Sequence, residues 1–308
     1  MKPHSQGGVE MQSGKIVLGA LLLAASAVPA QAQPSDTIAS ARDEAEPDPV
    51  DYLHLPGYGD STPGSSIELE IAPEIASHNL PGSESRTSSA TDVSLTFVTT
   101  HQLSDAFEIE FDAGPSFTFD SGDVVGSALA AALELRTRQN DSGFAGFARY
   151  GLARNFDQFF DDGVDTVQTL TAGVRYGTSI GQAAIGVELA PRWVNSSYDL
   201  DDYLAGELFV DAVLPVMDSG VVLIAEMAVD RRWYQNTDPV LREMRRDWRF
   251  EVFAGVDFAD AISHTPGRAN PIRSLGAGVL WLEVDSNLGS AERSTFKLLP
   301  AITAGVSF

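Results

Sequence analysis

Residues 246–258 read RDWRFEVFAGVDF. Trp248, Phe250, Val252, Ala254, Val256 and Phe258 take every second position, and Arg249, Glu251, Gly255 and Asp257 fall between them, with Phe253 among these. Successive side chains of an extended strand point to opposite faces, so this segment has one oily side and one polar side. Residues 107–117 do the same, with Phe107, Ile109, Phe111, Ala113 and Phe117 set against Glu108, Glu110, Asp112 and Ser116. So do residues 67–75, where Ile67, Leu69, Ile71 and Ile75 alternate with Glu68, Glu70 and Glu74.

About twelve such segments run from residue 65 to residue 308, near 65–78, 91–103, 106–119, 124–138, 143–156, 164–179, 182–195, 202–217, 220–235, 246–260, 274–285 and 295–308. They are far longer than the roughly 5–6 residues usual for soluble strands. A strand that crosses a bilayer needs about 9–11 residues. Short connections (HQLSDA, QNDSG, SIGQ, MDSG) alternate with longer ones (NLPGSESRTSS, NFDQFFDDGVD, NSSYDLDD, QNTDPVLREMRR, DSNLGSAERS), and FDSGD and DAISHTPGRANPIRS break the rule. The expected fold is all-β: a closed antiparallel transmembrane β-barrel of about twelve strands, with short periplasmic turns and longer outer loops. An even strand number puts both ends of the barrel on the same side.

Composition narrows the function classes. The chain has 308 residues, no cysteine and a formal net charge of -23. Without cysteine there are no disulfides and no thiolate metal sites. A surplus of acids argues against nucleic acid as a partner, because phosphate neutralisation needs Lys and Arg. With 44% hydrophobic residues the chain is not an acidic disordered protein. The acidic runs FFDDGVD and YDLDD could bind divalent cations but read first as solvated loops, and no metal and no cofactor is expected.

At the start, Lys15 precedes the apolar stretch IVLGALLLAASAV, and Ala30-Gln31-Ala32 follows in PAQAQP. This order reads as a signal peptide over residues 1–32, cleaved after Ala32, so the chain is expected to be exported. Residues 33–64 are rich in Pro, Gly, Ser and acids, lack periodicity and read as a flexible periplasmic segment that could dock in the lumen. Residues 65–308 are the barrel.

At residues 296–308, Phe296, Leu298, Pro300, Ile302, Ala304, Val306 and Phe308 form the oily face, and Lys297, Thr303, Gly305 and Ser307 the inner one. The pattern resembles the C-terminal strand of Gram-negative outer-membrane β-barrel proteins, in which a terminal aromatic preceded by alternating apolar residues is read by the barrel-assembly machinery. The resemblance is close over 296–308 and architectural over 65–308. It implies the outer membrane of a Gram-negative bacterium and a porin-like barrel. It also implies handling by periplasmic chaperones and by the assembly machinery through Phe296, Leu298, Ile302, Val306 and Phe308. Outer-membrane lipid and lipopolysaccharide would surround such a barrel.

Tryptophans sort with that orientation. Trp193 and Trp233 come late in upward strands, Trp248 early in a downward one, and Trp281 in an upper half, which makes them an outer aromatic girdle. Phe258, Phe308 and Phe107 fall near the inner rim.

The inner face is charged. Arg136, Arg138, Arg149, Arg175 and Arg192 form a basic arc on strands four to seven. Acids come from Glu68, Glu70, Glu108, Glu110, Asp112, Glu207, Asp211, Glu226, Asp230 and Glu251, and also from Glu74, Glu188 and Asp257. One reading is a narrow water-filled channel whose transverse field orders small polar or anionic solutes. The other is a non-transporting structural or interaction barrel whose ion pairs interlock and fill the lumen. Inward glycines and alanines, among them Gly173, Gly186, Gly255 and Gly278, favour some open space.

An outer-membrane lipid hydrolase is the third reading, and the chain is not expected to be an enzyme. Outer-membrane phospholipases are similar in strand number, but they carry a lipid-facing His-Ser pair that spacing does not reveal here. His78 and His101 have no evident partner, and Ser294-x-x-Lys297 lacks the helix that would put both side chains on one face. In strand eleven, LWLEVD puts Glu283 on the face that Trp281 assigns to lipid, so a β-bulge is expected there.

Overall fold

The computed structural model describes residues 64–79, 86–137, 143–157, 159–160, 163–197, 202–216, 219–237, 242–258, 272–288 and 291–307. The expected signal peptide, nearly all of the 33–64 segment, Arg138 and Phe308 lie outside the described residues.

Twelve strands follow one another: β1 Gly64–Asn79, β2 Arg86–Gln102, β3 Phe107–Asp120, β4 Asp123–Thr137, β5 Gly143–Phe156, β6 Gly163–Ile180, β7 Ala183–Ser196, β8 Tyr203–Pro215, β9 Val222–Thr237, β10 Met244–Asp257, β11 Ile272–Ser286 and β12 Arg293–Ser307. Each pairs antiparallel with its neighbours in sequence, and β12 pairs back onto β1, so the sheet is a closed barrel. At the closure Ile67 faces Val306, Glu70 faces Thr303 and Ile75 faces Leu298. Closure leaves no unpaired strand edge, which hydrocarbon could not solvate.

The outer surface is apolar where a soluble protein would be polar. Ile67, Ile75, Leu95, Phe111, Leu129, Leu133, Leu170, Leu189, Leu208, Phe250, Val252, Leu298 and Ile302 are all exposed. So continuous an oily belt marks a membrane-contacting surface. Strands of 13 to 18 residues are long enough to cross a bilayer and project beyond it.

The turn between β3 and β4 is Ser121-Gly122, both with positive φ (52° and 93°). Two left-handed residues in succession match the twist of the flanking strands, and Gly adopts that backbone without strain. The rim that holds the start of β1 and the end of β12 has connections at 103–106, 138–142, 181–182, 216–221 and 258–271. The opposite rim has connections at 80–85, 121–122, 157–162, 197–202, 238–243 and 287–292. β2 already begins at Arg86 and β6 at Gly163, inside stretches that read as loop, so the two rims differ less in loop length than the sequence suggests.

Strand β11 corrects one expectation. It pairs without a shift from Ser274 to Val284 against β12 and from Gly276 to Ser286 against β10, and its irregularity lies at Ile272/Ser274. Trp281 and Glu283 therefore share the outer face, both exposed, while Leu280, Leu282 and Val284 are buried inside. The physical reason is Phe253, which points inward and packs with Leu280 and Ile224. An apolar inner cluster accepts Leu280, so no bulge is needed to turn Glu283 around.

The same ring corrects a second expectation. A Cβ on Gly278 would stand 2.2 Å from Phe253 Cε2, and one on Gly255 would stand 2.6 Å from Phe253 Cζ. A Cβ on Gly186 would meet Asp211 Oδ1 at 2.1 Å, and one on Gly173 would meet the Ala190 Cβ at 2.8 Å. These inward glycines do not leave lumen volume, because neighbouring side chains occupy it.

A candidate site on the charged inner wall

Alternation sends every second residue of each strand inward, and closure fixes which of these become neighbours across the sheet. The basic arc is not free. Arg136 donates through Nε to Glu108 and through Nη2 to Glu110 at 3.1 Å, with Glu134 at 3.6 Å from Nη1. Arg149 Nη2 reaches Asp112 at 3.1 Å. Arg175 donates to Glu188 from Nη2 at 2.7 Å and from Nε at 2.9 Å, and stacks over Phe147. Arg192 meets Glu207 at 2.5 Å, and Lys297 meets Glu74 at 3.0 Å. Apart from Arg136–Glu134, which share β4, each of these pairs joins strands that are adjacent or two apart, so it lies along the wall.

A tighter stretch of wall sits on β9 and β10. Arg232 donates to Asp230 at 2.8 Å and Arg249 to Glu251 at 2.9 Å. Arg245 meets Asp247 at 2.7 Å. All but Arg245 are buried, and Arg232 and Arg245 lie over the rings of Tyr203 and Tyr234. The half-exposed pairs are instead those of β3 to β7: the Arg149 side chain keeps 39% of its surface and Arg175 28%.

Two of the expected acids stand apart. Asp211 and Glu226 face each other directly across β8 and β9. Both are buried, and Asp211 Oδ2 has no hydrogen-bond partner. Glu68 accepts from Ser66 at 3.2 Å, and Glu70 lies opposite Thr303 on β12. Asp257 accepts from the Leu275 amide at 3.2 Å.

Sequence reasoning missed Glu134 and Asp247. Both follow from continuing the alternation, Glu134 from Arg136 on β4 and Asp247 from Arg249 on β10.

On the outer face Phe296, Leu298 and Ile302 are exposed, as are Trp233, Trp248 and Trp281; Trp193 is half-buried. Trp281 Nε1–H donates to Ser294 Oγ at 3.2 Å. The side chain of Val306 lies outside the described residues. Ser294 therefore faces out while Lys297 faces in toward Glu74, and a strand cannot bring that S-x-x-K together. His78 does have partners: Thr295 Oγ1 at 3.2 Å from Nδ1 and Ser88 Oγ at 3.0 Å from Nε2. His101 Nε2 lies 3.2 Å from Thr99 Oγ1.

No family model matches the chain, and no curated protein matches it. Among solved structures it is similar to an outer membrane channel from Pseudomonas putida F1, at 14% identity and a TM-score of 0.49 over 81% of this chain and 98% of that one. It is similar to the translocator domain of the autotransporter NalP from Neisseria meningitidis, at 13% identity and a TM-score of 0.44 over 86% and 94%. It is also similar to LpxR from Salmonella typhimurium, at 9% identity and a TM-score of 0.38 over 76% and 99%. Likenesses of this order say nothing about solute or reaction.

Proposed function

We propose that this chain is a Gram-negative outer-membrane barrel that acts as a narrow channel for small polar solutes. The rim bearing the start of β1 and the end of β12 then faces the periplasm, and the rim of Trp193, Trp233 and Trp248 faces outward. One observation supports the channel above all: the inner ion pairs run along the wall, within one strand or to a strand nearby, which leaves Arg149 and Arg175 partly exposed to the interior. A wall of mixed, paired charge can exchange hydrogen bonds with a passing polar solute. Pairing also neutralises much of the basic arc, so attraction of anions is weaker than the arginines alone suggest.

The buried Asp230–Arg232 and Arg249–Glu251 pairs favour the second reading, a non-transporting barrel stiffened from within. Swelling of liposomes that contain the purified barrel separates the two. Entry of small sugars that falls with solute size supports the channel. Liposomes that stay osmotically tight to every solute support the stiffened barrel.

A further inference from the structure

Arginines on the two faces of this barrel are treated differently. On the inner face Arg136, Arg149, Arg175, Arg192, Arg232 and Arg249 each meet a carboxylate. On the outer face, by strand parity, lie Arg154 of β5, Arg231 of β9 and Arg246 of β10. Among the described residues none of these three has a carboxylate partner, in a chain with 43 acids and 20 bases. Two of them lie on aromatic rings instead: Arg231 over Trp248 at 4.9 Å and Arg154 over Phe156 at 5.5 Å.

Register gathers Arg231 and Arg246. Arg231 pairs with Trp248 and Arg246 with Trp233, so two guanidiniums and two indoles alternate on one patch of outer wall. Arg231 pairs on its other side with Gly206 of β8, and a Cβ there would have only Trp233 within 4 Å. The result is a shallow notch beside a cation, at the aromatic rim, with Leu204 and Leu208 flanking it. Asp285 stands opposite Trp248 on β11 and makes no ion pair with either arginine.

A guanidinium facing a membrane without a protein anion is uncompensated charge next to hydrocarbon, which is costly. An anion of the membrane itself removes that cost. Phosphate suits the planar fork of Arg, and the indoles fit an interfacial position just above acyl chains.

We infer that the Arg231–Trp248–Arg246–Trp233 patch is a binding site for the phosphate headgroup of an outer-leaflet lipid, with acyl chains running down the apolar belt from the Gly206 notch. Arg154 at Phe156 repeats the device on β5. The inference rests on the membrane orientation proposed above, but not on conductance.

The test is native mass spectrometry of the full folded chain in a neutral detergent. It is titrated with bisphosphorylated lipid A and, separately, with the same lipid stripped of phosphate. Wild type should retain the phosphorylated lipid about tenfold more tightly. Arg231→Ala with Arg246→Ala should abolish that preference, and Arg231→Lys should keep part of it. Folding of each variant is read independently from its gel mobility before and after boiling. Equal retention of the two lipids by wild type overturns the proposal, and so does an undiminished preference in a folded double variant. Displacement of the lipid by millimolar inorganic phosphate also overturns it, because the site would then take a free anion.

Discussion

The ring of Phe253 on β10 fills the space that a side chain at Gly278 on β11 would need, with 2.2 Å between the Phe253 Cε2 and a Cβ at that glycine. The aromatic and the glycine are one packing unit built across two paired strands. Gly278→Ala should therefore destabilise the barrel by about 1–3 kcal/mol, the usual cost of overpacking. Phe253→Leu in the same chain should return part of that loss. The check is a double-mutant cycle on urea unfolding midpoints, and purely additive effects would show that the two residues do not share that space.

Arg136 holds three carboxylates, Glu108, Glu110 and Glu134. Arg136→Met leaves them facing one another on a wall where two are buried, and should cost about 3 kcal/mol, the low end for breaking a buried pair. Adding Glu134→Gln should recover part of the loss. Unfolding midpoints of the single and double variants in detergent measure both effects.

Asp211 and Glu226 face each other on the inner wall, and among the described residues Asp211 Oδ2 has no hydrogen-bond partner. Together with the surplus of inward acids they should make the channel prefer cations. A potassium chloride gradient across a bilayer should give a reversal potential of the sign set by potassium. Asp211→Asn with Glu226→Gln should weaken that preference by up to about fivefold, taking roughly 1 kcal/mol for a charge at 4 Å in water.

The outward indoles differ in depth. Trp233 and Trp248 lie near the outer rim, whereas Trp281 lies further along β11 from that rim, bonded to Ser294. Chains that keep one tryptophan, inserted in vesicles with bromine at a set acyl depth, should show Trp281 quenched most strongly by the deeper label. Equal, weak quenching of all three would place the belt outside the hydrocarbon.

Alternation made the barrel legible wherever one face is uniformly oily, as at Phe107–Phe117 and Trp248–Phe258. In β11 alternation held but the bulge expected there is absent, because Leu280, Trp281 and Leu282 offer apolar residues to both faces. There the choice was settled by Phe253 waiting inside, a residue one strand away. Alternation names candidates for the charged inner face, though Glu134 and Asp247 were passed over, and it says nothing of how they pair. Arg149 stands directly opposite Glu134 across β4 and β5 yet meets Asp112 two strands away, a choice that spacing along the chain does not reveal. Glycines were misread for the same reason: a missing side chain marks a vacancy only if no neighbour leans into it, and Phe253 and Asp211 do.

On the proposed reading, paired charges lining the wall leave an aqueous path through a barrel solvated by hydrocarbon. Single-channel recording on the purified, folded chain in a planar bilayer decides this. Discrete current steps that scale with salt concentration are the predicted result. A folded, inserted barrel that leaves the bilayer current at baseline would contradict it.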